Sequence, residues 1–283
     1  MKPQRFFPSG LPHCVRLLAL LLSAALPVAA HAQTAPAPPK YAMLEYIKYE
    51  PGKAAEYRKV EQEVWQPIHR ERIKAGVIRS WSLWSRTLPG GSAYDYDALI
   101  ITTFDSFAAI GNPYPPGIAV KAHPTLTPQQ IGEATGARTT ATRRMVRTEL
   151  VALLDATQET ATASQTPPKY LLVNYHQAEY GKANQYVKLE REAWKPVHQE
   201  RVNQGILRLW VLLATRFPTG TERPYSHLTM EAFDKFEHLE NRYPPVVLEK
   251  FGPVDKRDQI GAQTTALRKQ VRTEVLTLVD VVR

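Results

Sequence analysis

An internal repeat constrains this chain more than any other feature of its sequence. The segment from Trp65 to Gly76 returns as Trp194 to Gly205, 129 positions later, with Trp, Pro, His, Arg and Gly in matching places. A fold that accommodates the first copy must also accommodate the second, because the same pattern of apolar and polar positions is used twice. The sequence therefore predicts two similar structural units.

The first 32 residues have the features of a secretory signal peptide. Basic residues precede an apolar run that ends in Ala30-His31-Ala32, a small-x-small cleavage pattern. The run is shorter than the roughly 20 apolar residues of a membrane-spanning helix. We expect cleavage near Ala32, a Pro-rich tether over residues 33–39, no stable membrane anchoring after cleavage, and a periplasmic protein.

Cysteine use and charge exclude several functional classes. Cys14 is the single cysteine and precedes the apolar run, so a processed chain has no disulfide or thiolate metal site, and we predict no metal. The net charge is +9, and three of these positive charges belong to the signal segment. The remaining Lys and Arg residues are mixed with acidic ones, which does not indicate a nucleic-acid partner.

Two units and a linker follow the tether. Each unit begins after a Pro-Pro-Lys-Tyr, and the predicted boundaries are residues 40–155 and 169–283. Residues 156–168 are rich in Thr, Ala, Gln and Pro, a composition typical of a flexible linker. Each unit of roughly 115 residues is large enough to bury about two-thirds of its surface, so each can hold its own core.

The pattern within the first unit predicts the order strand, helix, strand, strand, helix, strand. The predicted elements are a strand at 41–49, a helix from Ala54 to about Ala75 closed by Gly76, strands at 77–87 and 94–104, a short helix capped by Asp105, a helix from Thr127-Pro128 to about Met145, and a strand at 147–154. This βαββαβ order is that of a ferredoxin-like half-sheet.

Such a sheet has helices on one face, and its bare face must be covered. The second copy is the obvious cover, and at this point the chain resembles the dimeric α+β barrel superfamily, with both halves fused in tandem. The most recognisable stretch is Tyr-x-x-x-Glu-x-Glu-x-Trp-x-Pro, at Tyr57–Pro67 and Tyr186–Pro196. The chain is most similar to exported members without an assigned activity. The resemblance implies an α+β fold whose two antiparallel sheets pair into one intramolecular barrel.

A candidate site lies along one edge of the predicted long helix. At 100° per residue, Trp65, His69 and Arg72 lie beside the stripe that packs on the sheet. The second copy repeats them as Trp194, His198 and Arg201. One hypothesis is a pocket in which Trp is a wall, His exchanges a proton and Arg anchors an anion. The other is a scaffold, in which Trp packs and His and Arg hold backbone near the kink at Pro67.

Strand residues add further candidate ligand contacts. Glu45 lies among apolar neighbours and needs a partner such as Arg or a wet cavity, whereas the second copy has the neutral Asn174 there. The aromatic residues of strands two and three are either core or pocket lining: Trp81, Trp210, Tyr96 and Tyr225. His227 replaces Ala98, so the shared fold does not require it. The favoured interpretation of His227 is a surface histidine, and the alternative is a specialised feature of the second half.

Three functional hypotheses follow, all with a small-molecule ligand. The first is a binding protein without catalysis and without a cofactor. The second, implied by the resemblance, is a cofactor-independent enzyme of the monooxygenase or isomerase type acting on an aromatic or anionic molecule, with His69 or His198 as acid or base. The third is a haem-binding protein, because the superfamily includes such a branch; the helical candidates are His198 and His238. The chain is predicted to be a monomer or a homodimer.

Overall fold

A computed structural model describes residues 38–91, 94–160, 166–220 and 223–283. The predicted signal peptide and most of the tether lie outside these residues, so export and cleavage stay predictions. Within the described residues, no helix has both the length and the apolar character needed to cross a bilayer.

The two halves of the chain contain matching elements. Those of the first half are β1 (Tyr41–Tyr49), α1 (Ala54–Val60), α2 (Gln66–Lys74), β2 (Ser80–Leu88), β3 (Ala98–Phe104), α3 (Phe107–Gly111), α4 (Ile118–Ala122), α5 (Pro128–Glu133) and β4 (Arg143–Ala156). Those of the second half are β5 (Tyr170–Ala178), α6 (Ala183–Leu189), α7 (Lys195–Asn203), β6 (Leu209–Phe217), β7 (His227–Phe233), α8 (Pro245–Leu248), α9 (Val254–Leu267) and β8 (Arg268–Val282).

The strands form one closed antiparallel barrel in the order β1-β3-β2-β8-β5-β7-β6-β4. Two of the strand pairs join the halves, β4 with β6 and β2 with β8. Each half therefore completes the sheet of the other, and neither leaves a free strand edge at these junctions. The predicted fold class, an intramolecular α+β barrel of two βαββαβ sets, is confirmed.

Apolar side chains fill the barrel interior and the two spaces between helices and sheet. The barrel interior holds a cluster drawn from both halves, including Leu44, Val151, Val173 and Leu276. A second cluster packs the first-half helices on their strands, around Tyr57 and Trp81. A third cluster, around Tyr186 and Trp210, does the same in the second half. The space between helix and sheet, where the candidate site was predicted, is thus enclosed in both halves.

The predicted kink at Pro67 is a π-helical turn. Residues Glu61–Trp65 join α1 to α2 in this conformation, and Glu190–Trp194 join α6 to α7. The turn inserts one residue, so the backbone N–H of Gln66 reaches the carbonyl of Glu61, five positions back. Pro67, which has no N–H, follows directly, and the helix continues through it. The turn fixes where Trp65 and His69 point.

Some predicted helix ends are correct and others are wrong. Thr127 caps α5 with its side chain on the Gln130 N–H, in a complete capping box. Asp105 is not a cap: Ser106 caps α3, and Asp105 accepts from Arg79 instead. The last helix of the first half ends before Met145, because β4 already begins at Arg143 to follow β1 and β6 around the barrel.

Candidate functional site

A histidine and an arginine on one helix form the centre of the site in each half. Arg72 on α2 donates from Nη1 to Nδ1 of His69 at 3.0 Å, and Arg201 on α7 donates to Nδ1 of His198 at 3.0 Å. Arginine can only donate, so Nδ1 is the acceptor and Nε2 carries the proton in both rings. Burial lowers the pKa of His198 to about 3 and lowers that of His69 well below its usual value. Both imidazoles are therefore neutral at physiological pH.

Two tryptophans enclose each imidazole. The ring of His198 is stacked between Trp194, with centroids 6.1 Å apart, and Trp210, at 5.1 Å. In the first half, His69 is stacked in the same way between Trp65 and Trp81. This arrangement is common to both halves, so it is part of the scaffold that the fold uses twice.

The tryptophan of each helix is also held in the same way. Trp65 donates from Nε1 to Thr139 Oγ1, and Trp194 donates to Thr264 Oγ1, both at 3.0 Å. Each threonine lies on the helical segment that precedes the last strand of its half. The two bonds therefore join the long helix to that segment.

The halves differ in what the arginine binds. Arg72 donates from Nε to the backbone carbonyl of Pro113 at 2.7 Å and lies 4.0 Å over the ring of Tyr114. Arg201, which is fully buried, donates from Nη1 to the carboxylate of Glu231 at 2.7 Å. Glu231 lies on β7, where the first half has Thr102 on β3. The same helical arginine thus holds a loop in one half and a charged group in the other.

A second arginine completes this buried ion cluster. Arg242 donates from Nη2 to the other carboxylate oxygen of Glu231 at 2.6 Å. Burial alone raises the pKa of Glu231, but the attraction of Arg201 and Arg242 outweighs it and lowers that pKa to about 2. Asn174 on β5 donates to Thr229 Oγ1 at 3.2 Å, and its Nδ2 lies 3.4 Å from Glu231 Oε1. Glu231 is therefore ionised at neutral pH.

A polar cavity of about 140 Å³ lies beside this cluster. It is lined by Asn174, His176, Glu190, Trp194, His198, Thr229, Glu231, Arg242, Tyr243, Arg268 and Gln270. At five of these positions the first half has a smaller or less polar residue, namely Ile47, Ile100, Thr102, Pro113 and Met145 in place of His176, Thr229, Glu231, Arg242 and Gln270. The polar lining is thus a property of the second half.

The cavity wall carries excess positive charge and N–H groups that can still donate a hydrogen bond. Burial raises the pKa of Glu190 to about 7, although Arg268 lies 3.6 Å away. Within the described parts of the chain, Nε of Arg242 and of Arg268 and the ring nitrogen Nδ1 of His176 have no hydrogen-bond partner. Burial lowers the pKa of His176 to about 2, so this ring is neutral.

The structure brings some of the predicted site residues together and separates others. Asn174, Trp194 and His198 line the cavity, while Arg201 and Trp210 lie behind it. Glu45 is half-buried on the helix side of β1, where burial raises its pKa against the attraction of Arg143 and Arg72.

The favoured interpretation of His227 as a surface residue is wrong. His227 is buried, with Nδ1 2.9 Å from Ser226 Oγ and its ring 5.1 Å from that of Tyr186. Its side chain is packed under the second-half helix, because β7 turns this position toward α6. His227 does not line the cavity.

Tyr96 and Tyr225 lie inside the barrel and not beside the helical histidines. Tyr225 donates to Glu149 at 2.5 Å, and Tyr96 donates to Glu274. In both bonds the tyrosine belongs to one half and the carboxylate to the other. These two residues therefore join the halves across the barrel interior.

Sequence reasoning missed all four charged residues of the cavity lining and one of its histidines. Glu231, Arg242 and His176 were not among the predicted site residues, and neither were Glu190 and Arg268. A signal for the first three was present, because each replaces an uncharged residue at the matching position of the first copy. Glu190 and Arg268 gave no such signal, since Glu61 and Arg143 match them.

Solved structures with the same fold complete this description. The chain is similar to a protein from Fusobacterium nucleatum subsp. nucleatum described as a "putative monooxygenase", with a TM-score of 0.53, 10% identity, and coverage of 86% of this chain and 94% of that one. It is also similar to a haem-binding protein from Thermus thermophilus, with a TM-score of 0.49, 8% identity, and coverage of 86% and 92%.

Identities this low show a shared fold and do not transfer an activity. No family model matches the sequence, and no curated protein does either. The barrel topology and the similarity to the Fusobacterium structure agree with one another. The chain has the dimeric α+β barrel fold, with both halves of the barrel supplied by one polypeptide.

Proposed function

We propose that this protein binds a small organic anion in the polar cavity of its second half. The observation that carries the proposal is the charge balance around this cavity. Arg201, Arg242 and Arg268 face one fully ionised carboxylate, Glu231, and one carboxyl that is only partly ionised at neutral pH, Glu190. An anion that binds in the cavity is attracted by this excess positive charge, and the buried surroundings screen the attraction only weakly.

The first half supports the assignment by contrast. There Arg72 and Arg143 act on two carboxyl groups, Glu45 and Glu61, whose pKa values are raised by burial, that of Glu61 to about 7. A second loop arginine is missing, because Pro113 stands where the second half has Arg242. With the same number of carboxyl groups and one arginine fewer, this half offers less positive charge to an anion.

Haem does not fit the residues around His198. Nδ1 of its imidazole accepts from Arg201, so Nε2 carries the proton and has no lone pair for iron, and the ring stacks on two tryptophans. The adjoining cavity of about 140 Å³ is also smaller than the roughly 300–1,000 Å³ that drug-sized ligands occupy. His238 lies in the 3-10 turn Phe236–Leu239, outside the cavity lining. We expect no Soret shift when haem is titrated into the protein.

A cofactor-independent enzyme is the second candidate, and Glu190 favours it. A buried carboxyl with a pKa of about 7 at the wall of a polar cavity can accept or release a proton near neutral pH. His198 is a poor acid or base, since its pKa is about 3 and Nδ1 is occupied. Turnover that is lost in Glu190→Gln and kept in His198→Asn would support this candidate.

The binding proposal is tested by calorimetric titration with acetate, propionate and benzoate. We expect Arg268→Gln to weaken binding by about 10-fold or more, because it removes a charged hydrogen-bond donor from the cavity. Arg268→Lys keeps the charge and should recover part of the affinity. The matched variant Arg143→Gln, in the first half, should change affinity less than about twofold.

Two outcomes would overturn the proposal. One is the absence of any binding of these acids at millimolar concentration by a folded protein. The other is an equal loss of affinity in Arg268→Gln and Arg143→Gln, which would place the anion elsewhere.

The location of the protein and the origin of its halves are proposals as well. The N-terminal sequence supports export to the periplasm, and the repeated segments support an ancestral half-barrel that was duplicated. Mass spectrometry of the protein from fractionated cells would test export. The expected N-terminus is near Gln33, in the periplasmic fraction.

A further inference from the structure

An apolar groove of about 450 Å³ lies next to the polar cavity. It is lined by Leu88, Leu172, Phe236, Glu237, Leu239, Glu240, Arg242 and Val275. Leu172 and Val275 are buried and form its floor, whereas Leu88 is 49% exposed and Phe236 is 42% exposed. Large apolar side chains are seldom grouped at a surface in this way unless something covers them.

The groove continues into the cavity along two neighbouring strands. Leu172 on β5 pairs with Val275 on β8, and two positions further along the same strands Asn174 pairs with Thr273. Side chains two positions apart in a strand lie on the same face, roughly 7 Å apart. The floor thus changes from Leu and Val to Asn and Thr over one step, and Thr273 donates to Asn174 at 2.9 Å.

Arg242 lies at the boundary of the two spaces and lines both. Its Nη2 is bound to Glu231, but within the described residues its Nε has no hydrogen-bond partner. This N–H can donate to an anionic group in the cavity while the rest of the ligand lies in the groove. In the first half Pro113 stands at this position and offers neither charge nor donor.

From this geometry we propose that the ligand is an amphipathic carboxylate. Its acid group binds in the polar cavity beside Arg242 and Arg268, and its alkyl or aryl part covers the groove between Leu88 and Leu239. The inference rests on the proposed anion-binding function and adds the chemical class of the ligand. Both halves contribute to the groove, since Leu88 belongs to β2 and the other lining residues belong to the second half.

The test compares straight-chain carboxylates from acetate to octanoate by calorimetric titration of the whole protein. We expect affinity to rise about three- to fourfold for each methylene that enters the groove, and to level off once the groove is full. Leu88→Ser and Leu239→Ser should reduce this increase per methylene and leave the affinity for acetate within about twofold.

Matched variants come from the first half. Phe217, at the position of Leu88, is 53% exposed, and Ile110 stands at the position of Leu239. Phe217→Ser and Ile110→Ser should keep the full dependence on chain length. Leu88 is half exposed, so Leu88→Ser is expected to fold. The chain-length dependence can then be measured in this variant even if Leu239→Ser does not fold.

The possible failures are distinguishable. If acetate and octanoate both fail to bind, the anion-binding proposal itself is wrong. If acetate binds and affinity does not rise with chain length, or rises equally in Leu88→Ser and Leu239→Ser, the cavity assignment survives and the groove inference is wrong. If sedimentation shows a dimer that Phe236→Ser dissociates, the groove is an interface between two copies and the inference is overturned.

Discussion

The two halves of this barrel share a scaffold and differ in the residues placed on it. Both contain a helical histidine stacked between two tryptophans and bound by an arginine at 3.0 Å. Only the partner of the arginine changes, from the carbonyl of Pro113 to the carboxylate of Glu231. The shared part is therefore structural, and the differences between the halves are the better guide to function.

The two halves place an acid on different strands, and the pKa of the acid differs accordingly. In the first half the acid lies on β1, as Glu45, and burial raises its pKa. In the second half the acid lies on β7, as Glu231, where two arginines hold its pKa at about 2. Asn174 fills the vacated position on β5 and is neutral. The exchange produces a fixed ion cluster with polar side chains around it, and that cluster borders the cavity.

The largest expected effect tests this exchange directly. Glu231→Ala leaves Arg201, which is fully buried, without its counter-charge, and should lower the free energy of unfolding by about 3–5 kcal/mol. Glu45→Ala should cost less than about 1 kcal/mol, because Arg72 keeps its bonds to Pro113 and His69 when the carboxyl is removed. Urea unfolding at pH 7 measures both. Equal losses would show that the two acids play the same structural part, and the contrast between the halves would be lost.

The next effect concerns a buried carboxyl that both halves contain and that should influence stability in both, but anion binding only in the second. Burial raises the pKa of Glu61 and of Glu190 from 4.5 to about 7. The folded state keeps each proton that the unfolded chain releases, so the stability that each carboxyl contributes is full at low pH and is lost as the pH rises toward 7. In the unaltered protein, each of these carboxyl groups should account for about 2 kcal/mol of the decrease in the free energy of unfolding from pH 5 to pH 8. Glu61→Gln and Glu190→Gln should each abolish that part of the decrease.

Anion binding should respond to only one of these two variants. Glu190 faces Arg268, Tyr186 and Glu231, and its ionisation places a negative charge on the cavity wall. Affinity for a carboxylate should therefore fall several-fold from pH 6 to pH 8 in the unaltered protein and in Glu61→Gln. It should stay nearly constant in Glu190→Gln, since the pKa values of His176, His198 and Glu231 all lie at about 3 or below. A fall that persists in Glu190→Gln would assign the titration to another group.

The sequence predicted the fold because the fold depends on periodic features. Strand β1 lies where the alternation from Tyr41 to Tyr49 predicts it, and the repeat predicts that the halves cover one another. Helix ends were less predictable, since tertiary contacts decide them. Asp105, for example, is a good capping residue by type, yet it binds Arg79 and leaves the cap to Ser106.

The site was predicted in part, and the reason is physical. Helical spacing placed Trp194, His198 and Arg201 on one edge, and they do lie together. Spacing carries no information about which strand or loop lies opposite that edge, so Glu231 on β7 and Arg242 on the loop before α8 were missed. Tyr225 was expected near the site, but it precedes β7 and is separated from it by a bend at Ser226, so its side chain lies in the barrel interior and donates to Glu149.

The smallest effect tests whether the shared scaffold is energetically the same in both halves. Trp65→Phe and Trp194→Phe each remove one indole donor, while Thr139 and Thr264 keep their own bonds to helix carbonyls. Each variant should lower the free energy of unfolding by about 1 kcal/mol, and the two losses should agree within about 0.5 kcal/mol. Thermal and urea unfolding of the two variants side by side would measure this. A loss larger by about 1 kcal/mol or more in Trp194→Phe would mean that the ion cluster of Glu231 depends on the position of this indole, so that scaffold and site are coupled.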